Sequence, residues 1–250
     1  MRHAAPVRAL PACAPTPGEG AYPQVGAYQE IARSSSVLPV KEITVDIWTD
    51  VVCPWCYIGK RRFERALAAF VARDRVRVRW RSFELDPHAL RVTDETIAER
   101  MLRRQGIPPH EAARLLAGVT DQAGAEGLAY RLDLARPCDT FDAHRLIHHA
   151  AAAGLAEPFQ ERLMRAYTAE GASVGDHPTL LALAREAGLD AGPAAEVLAG
   201  DAYAQDVRSD EDLAARLGVG GVPAFVVDGQ PPLAGAQPAT VLASLLGRAR

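Results

Sequence analysis

Long apolar runs, lysine and cysteine are all scarce in this chain, and each shortage narrows what it does. No stretch approaches the roughly twenty consecutive apolar residues of a membrane-spanning helix. Near the start, in "MRHAAPVRALPACAPTPGEGAYPQVGAY", Pro6, Arg8, Pro11, Pro15 and Pro17 cut every apolar run short of the roughly seven to fifteen residues of a secretory leader. The expectation is a cytoplasmic protein with no membrane partner. Lys41 and Lys60 are the only lysines, so arginine carries nearly all the basic charge. A net charge of -3 leaves no basic surplus for nucleic acid. The four cysteines, Cys13, Cys53, Cys56 and Cys138, are too few and too scattered for the disulfide framework of a small secreted domain.

What is present suffices for a full core, since 48 % of the 250 residues are hydrophobic. Residues 1–40 are rich in Pro, Gly, Ala and Ser without helical or strand period, the composition of a disordered extension. The folded part opens with "ITVDIW", where Ile43, Val45 and Ile47 alternate with Thr44 and Asp46 in a strand period. Pro54 suits the first turn of a helix, and Phe63, Ala66, Leu67 and Phe70 continue at helical spacing. A second strand follows, with Val76, Val78 and Trp80 on one face and Arg77, Arg79 and Arg81 on the other.

From Asp94 to about Leu217 the pattern is almost purely helical and predicts about half a dozen helices. Thr93 or Asp94, Thr140 and Asp176 are the expected N-caps. Strand signal returns at "PAFVVDG", leads to a short edge at "PPLAGA", and gives way to a closing helix with Pro238 in its first turn. Neither end alone supplies enough strands for a stable sheet, so one sheet interrupted by an inserted helical block is expected. The expected division is an extension over 1–40, a split domain over 41–88 and 205–250, and a helical insertion over 89–204.

"CPWC" lies where the first strand turns into the first helix. A cysteine there faces unpaired backbone N–H groups and the positive end of the helix dipole, both of which stabilise a thiolate. Cys53 is thus the expected nucleophile, and Cys56, inside the first turn, can resolve a mixed disulfide. Two alternatives remain open on the residues alone. A zinc site would need His144 and His148, one helical turn apart, with Cys138 nearby. Two buried structural cysteines packed around Trp55, Val51 and Val52 would need no chemistry. In "GVGGVPAFVVDG", Pro223 begins the returning strand, where a Val222–Pro223 bond can be cis or simply trans.

These residues, with "FELDP" at 83–87, "TFDAHRL" at 140–146 and "AYTAEG" at 166–171, resemble the DsbA family over about Ile43 to Leu246. More narrowly, the chain is similar to the FrnE-like branch, related to 2-hydroxychromene-2-carboxylate isomerases and kappa-class glutathione transferases. The resemblance implies an α/β, thioredoxin-like fold with a large all-helical insertion between the N-terminal strand-helix-strand unit and the C-terminal strands. It implies that Cys53 attacks, Cys56 resolves, and Val222–Pro223 forms a cis-proline loop facing the pair. Pro54 and Trp55 then border the substrate.

His144 and Arg145 either border the groove, stabilising a thiolate or holding a glutathione carboxylate, or serve structure alone. Cys138 stands where relatives carry a polar residue and is a spare thiol. The expected activity is thiol-disulfide exchange or isomerisation on protein or small-molecule disulfides. It needs a cellular thiol reductant, no metal and no bound cofactor, with glutathione as a redox partner or co-substrate. A glutathione-dependent isomerase or transferase acting on an aromatic or polyketide-like molecule is the alternative, disfavoured by the presence of both cysteines. A zinc-binding, chaperone-like module is the third reading.

Overall fold

In the computed structural model, which describes residues 41–249, a four-stranded sheet is built from both ends of the folded chain. The strands are β1 (Ile43–Thr49), β2 (Val76–Ser82), β3 (Ala224–Val227) and β4 (Leu233–Ala234), in the order β2-β1-β3-β4. β1 pairs parallel with β2 and antiparallel with β3, which pairs antiparallel with β4. The parallel pair needs a crossover, supplied by α1 (Pro54–Ala68) and a one-turn 3-10 helix at Arg73–Arg75. The expectations for residues 1–40, including Cys13, lie outside the described residues.

Between β2 and β3 run seven helices, one more than the half dozen the pattern suggested. They are α2 (Ile97–Gln105), α3 (Pro109–Ala125), α4 (Phe141–Ala152), α5 (Ala156–Glu170), α6 (His177–Glu186), α7 (Ala191–Ala199) and α8 (Ala204–Leu217). α9 (Ala239–Leu246) closes the chain. Three expected starts are corrected. α2 is capped by Thr96, not Thr93 or Asp94, because Thr96 and Glu99 form a reciprocal capping box. Thr140 precedes α4 but makes no capping bond with its side chain; the Asp139 carboxylate accepts the Phe141 N–H instead. Pro238 sits just before α9 and not in its first turn. Asp176 does cap α6, accepting from the Thr179 N–H.

β1 lies at the centre, and both its faces are covered. On one face Ile43, Val45, Ile47, Phe225 and Val227 pack against Phe63 and Ala66 of α1 and Leu242, Leu245 and Leu246 of α9. The Phe63 and Phe225 rings stack with centroids 5.8 Å apart, a pair worth about 0.5–1.5 kcal/mol beyond its buried area. On the other face Trp48, Ala224 and Val226 meet Ala214 of α8 and Val219. That face explains the arginines of β2. Asp46 is opposite Arg79 in register and accepts from both Arg79 and Arg81, while Asp210 of α8 accepts from Arg81 and from the Ser82 N–H. A third core fills the helical block, with Leu146, Phe159, Leu163, Leu180 and Val197 among its members. No helix among the described residues is long and apolar enough to cross a membrane.

Candidate active site at the cysteine turn

β1 ends at Thr49, and the buried Asp50 begins a tight turn in which the Cys53 N–H donates to the Asp50 carbonyl at 3.1 Å. Cys53 is the residue before α1, in extended conformation, and Pro54 occupies the first helical position, where its missing N–H costs nothing. Both cysteines are buried, Cys53 at 4 % exposure and Cys56 at 0 %. Both thiols are free. Burial, and then the adjacent Cys53, push the Cys56 thiol well above its ordinary pKa, so Cys56 stays protonated until called upon.

The Val222–Pro223 bond is cis, and the loop it shapes faces the pair. The Cys53 thiol points at the Val222 carbonyl oxygen, 3.7 Å away. The Pro223 carbonyl accepts from the Gly235 N–H at 2.7 Å, which ties the loop to the β4 turn. From the other side the loop is met by Gly59 of α1. A Cβ on Gly59 would lie 2.8 Å from Cγ of Pro223, so only glycine lets the helix and the proline approach this closely.

The helical block supplies the opposite wall. The Tyr130 hydroxyl donates to the Pro54 carbonyl at 2.6 Å, across a separation of 76 residues, and pins the first turn of α1. Two clefts flank Pro54. One, about 510 Å³, is lined by Trp55, Met101, Leu115 and Val119; the other, about 310 Å³, by Val52, Arg100, Cys138 and Tyr167. Trp55, at 36 % exposure, is the half-open lip of the first. Further along α1, Lys60 is fully buried and donates to Glu64, Glu157 and Glu161, binding the cysteine helix to α5.

Cys53, Cys56, Pro54, Trp55, Val222 and Pro223 therefore converge. His144 and Arg145 do not line this site, which corrects the groove role considered for them. His144 is buried, its Nε2 facing Asp50 Oδ1 at 3.6 Å, beyond a hydrogen bond but within reach of the charge. Burial opposes its protonation, yet Asp50 outweighs that and raises its pKa. Arg145 spends its guanidinium on Asp142 and on the carbonyls of Val197, Gly200 and Ala202, closing the end of α7.

His148 bonds to Ser82 and Asp210, so the histidines and Cys138 considered as zinc ligands serve different partners. Cys138 is 3 % exposed, and burial, followed by Asp50, pushes its thiol up to about 12. A protonated, enclosed thiol is a poor nucleophile. Sequence reasoning missed Asp50, Gly59, Tyr130 and Tyr167. For Gly59 and Asp50 the only signal was closeness to the pair; Tyr167 lay inside the quoted "AYTAEG" without a role.

The arrangement can be set beside known proteins. A family model described as the DSBA-like thioredoxin domain matches residues 44–247. The crystal structure of a probable DsbA oxidoreductase from Streptomyces coelicolor is 42 % identical, with a TM-score of 0.78 over 84 % of this chain and 92 % of that one. The cytosolic disulfide reductase DsbM from Pseudomonas aeruginosa is 22 % identical, with a TM-score of 0.55 over 82 % of this chain and 97 % of its own. A 2-hydroxychromene-2-carboxylate isomerase is 16 % identical, with a TM-score of 0.59 over 82 % and 95 %. The last two share the fold, one an oxidoreductase and one an isomerase, as the resemblance to the FrnE-like branch implied. With the model spanning nearly all of the described chain, this protein belongs to the family of DSBA-like thioredoxin domains.

Proposed function

We propose that this protein is a thiol-disulfide oxidoreductase that cycles a Cys53–Cys56 disulfide. The observation that carries the reading is the placing of Cys53 at a helix N-terminus, its thiol 3.7 Å from the Val222 carbonyl of the cis-proline loop, with Cys56 fully buried one turn inside. The Cys53 thiolate attacks one sulfur of a substrate disulfide. The new Cys53–substrate bond forms as the substrate S–S bond breaks, and its electron pair leaves on the second sulfur. Cys56 then attacks Cys53 Sγ, its proton passing to the departing thiolate. The protein is oxidised by two electrons and the substrate reduced; a cellular thiol reductant reverses the protein half. The same steps run backwards in oxidation, and shuffling of substrate disulfides needs the first step followed by attack of a different substrate thiolate on the mixed disulfide, which forms the new substrate S–S bond and releases the Cys53 thiolate.

The Val222 and Pro223 backbone would receive an extended substrate segment, and Trp55 its side chains. No cofactor is needed beyond the cysteines, with glutathione as a candidate partner, and a cytoplasmic setting belongs to the same proposal. The test is intact mass across a series of thiol/disulfide buffers, with Cys13 and Cys138 replaced by Ser and thiols trapped by alkylation. A reversible loss of two hydrogens, abolished in Cys53→Ser and Cys56→Ser alike, is expected. Retention of both thiols under oxidising buffers, with one bound glutathione or zinc, would replace this reading with the isomerase or the metal-binding one.

A further inference from the structure

Three tyrosines lie around the cysteine turn, Tyr57 on α1 itself and Tyr130 and Tyr167 from the helical side, and their hydroxyls have different fates. Tyr57 donates to Glu161, and Tyr130 to the Pro54 carbonyl. Tyr167, near the end of α5, is 1 % exposed, yet among the described residues its hydroxyl has no hydrogen-bond partner. The buried polar atoms left without a partner among the described residues do not include this hydroxyl, so the ring is enclosed while the hydroxyl opens onto the adjoining space. Tyr167 lines the cleft of about 310 Å³ whose near wall is Val52 and Pro54, the residues on either side of Cys53. Arg100 and Arg104 line it too, sharing the single carboxylate of Asp86, so the cleft holds more positive than negative charge.

We propose that Tyr167 is a substrate-contacting residue: its hydroxyl donates a hydrogen bond to the sulfur that leaves when Cys53 attacks a disulfide seated in this cleft. The inference rests on the proposed oxidoreductase activity and names one further group for it. The leaving sulfur departs with the electron pair of the broken S–S bond, and a donor aimed at it stabilises the developing negative charge without itself losing the proton. The surroundings keep that proton in place. Burial, then Cys138 and Asp50, raise the tyrosine pKa far above its ordinary value, so it remains a donor at every working pH.

The test uses Cys56→Ser, in which the mixed disulfide on Cys53 accumulates, with and without Tyr167→Phe. Second-order rates of adduct formation on Cys53, located by peptide mass, are measured with small symmetrical disulfides whose thiols range from acidic nitroaryl to basic alkyl. Loss of the donor should slow the alkyl disulfides by about tenfold and leave the nitroaryl ones nearly unchanged, because a basic leaving thiolate gains most from a hydrogen bond. Equal slowing across the series, no slowing, or loss of the fold in Tyr167→Phe would each overturn the inference, the last by making the hydroxyl structural. Failure of Cys56→Ser itself to form any adduct on Cys53 is a different outcome: it overturns the oxidoreductase reading, and this inference with it.

Discussion

The two walls around Cys53 are made of different material. The wall toward the sheet is backbone: the Val222 carbonyl, the Pro223 ring and the bare Cα of Gly59. The wall toward the helical block is side chain: the Tyr130 and Tyr167 hydroxyls and Arg100. A backbone wall is fixed by the sheet and presents the same groups whatever the substrate. A side-chain wall can be exchanged residue by residue while the fold stands. In the proposed exchange reaction the attacking thiol faces the first, and the shape and charge offered to a substrate come largely from the second.

The largest expected effect comes from cutting what holds the side-chain wall to the cysteine helix. Lys60→Ala takes a fully buried ammonium from three carboxylates: Glu64 and Glu161 keep Arg61, and Glu161 the Tyr57 hydroxyl as well, while Glu157 loses its pairing. Glu157 and Glu64 are partly exposed and rehydrate, so the cost is about 3 kcal/mol, the low end for a broken buried ion pair. Thermal unfolding should fall by roughly 6–12 °C. An unchanged melting temperature would mean that α1 is held by its apolar face alone.

The backbone wall is attacked at Gly59. In Gly59→Ala the added Cβ, 2.8 Å from a rigid proline ring, must push the loop or the helix aside. Overpacking of this kind costs about 1–3 kcal/mol. The Val222 carbonyl should move away from Cys53, with exchange activity falling more steeply than stability. Parallel losses, or neither, would show that the loop has slack and that the wall is less fixed than argued.

Much of this was legible in the sequence for a reason the same contrast supplies. Backbone-built features have local signatures: the strand alternation before "CPWC", proline in the first helical turn, and the "GVP" that opens β3. The side-chain wall has none. Tyr130 reaches Pro54 from 76 residues away, and nothing in "LAYRL" marks that hydroxyl as different from one facing water. His144 and Arg145 drew notice because titratable residues clustered there, but clustering does not say which way a helix faces. Their helix, α4, turns them toward Asp50 and the end of α7. The choice of Thr96 over Thr93 or Asp94 was readable in principle, since Glu99 completes the capping box only with Thr96.

A milder test of the side-chain wall is Tyr130→Phe, which removes the donor to the Pro54 carbonyl and nothing else. The expected loss is about 1 kcal/mol, read as a melting temperature lower by roughly 2–4 °C. The first turn of α1 loosens with it, so amide exchange should quicken around Cys56 and not at the cis-proline loop. Equal quickening at both places would deny that the two walls are independent.

The smallest effect concerns protons behind the side-chain wall. Glu84, paired with Arg208 at 2.6 Å, is pushed up to about 7, mainly by burial, with Arg208 opposing and Glu211 adding to the rise. Its folded pKa lies above the ordinary 4.5, so the folded state binds the proton more tightly than the unfolded chain. The stability this confers is complete below about pH 4.5 and is lost as the pH rises through about 7. His144, also raised, adds to the same trend above its ordinary 6.5. Many carboxylates titrate at the acid end, so the informative quantity is the melting temperature of the wild type minus that of Glu84→Gln at each pH. That difference should be more positive at pH 5 than at pH 8. A flat difference would place Glu84 in contact with water and leave His144 to carry the proton coupling to folding across neutral pH.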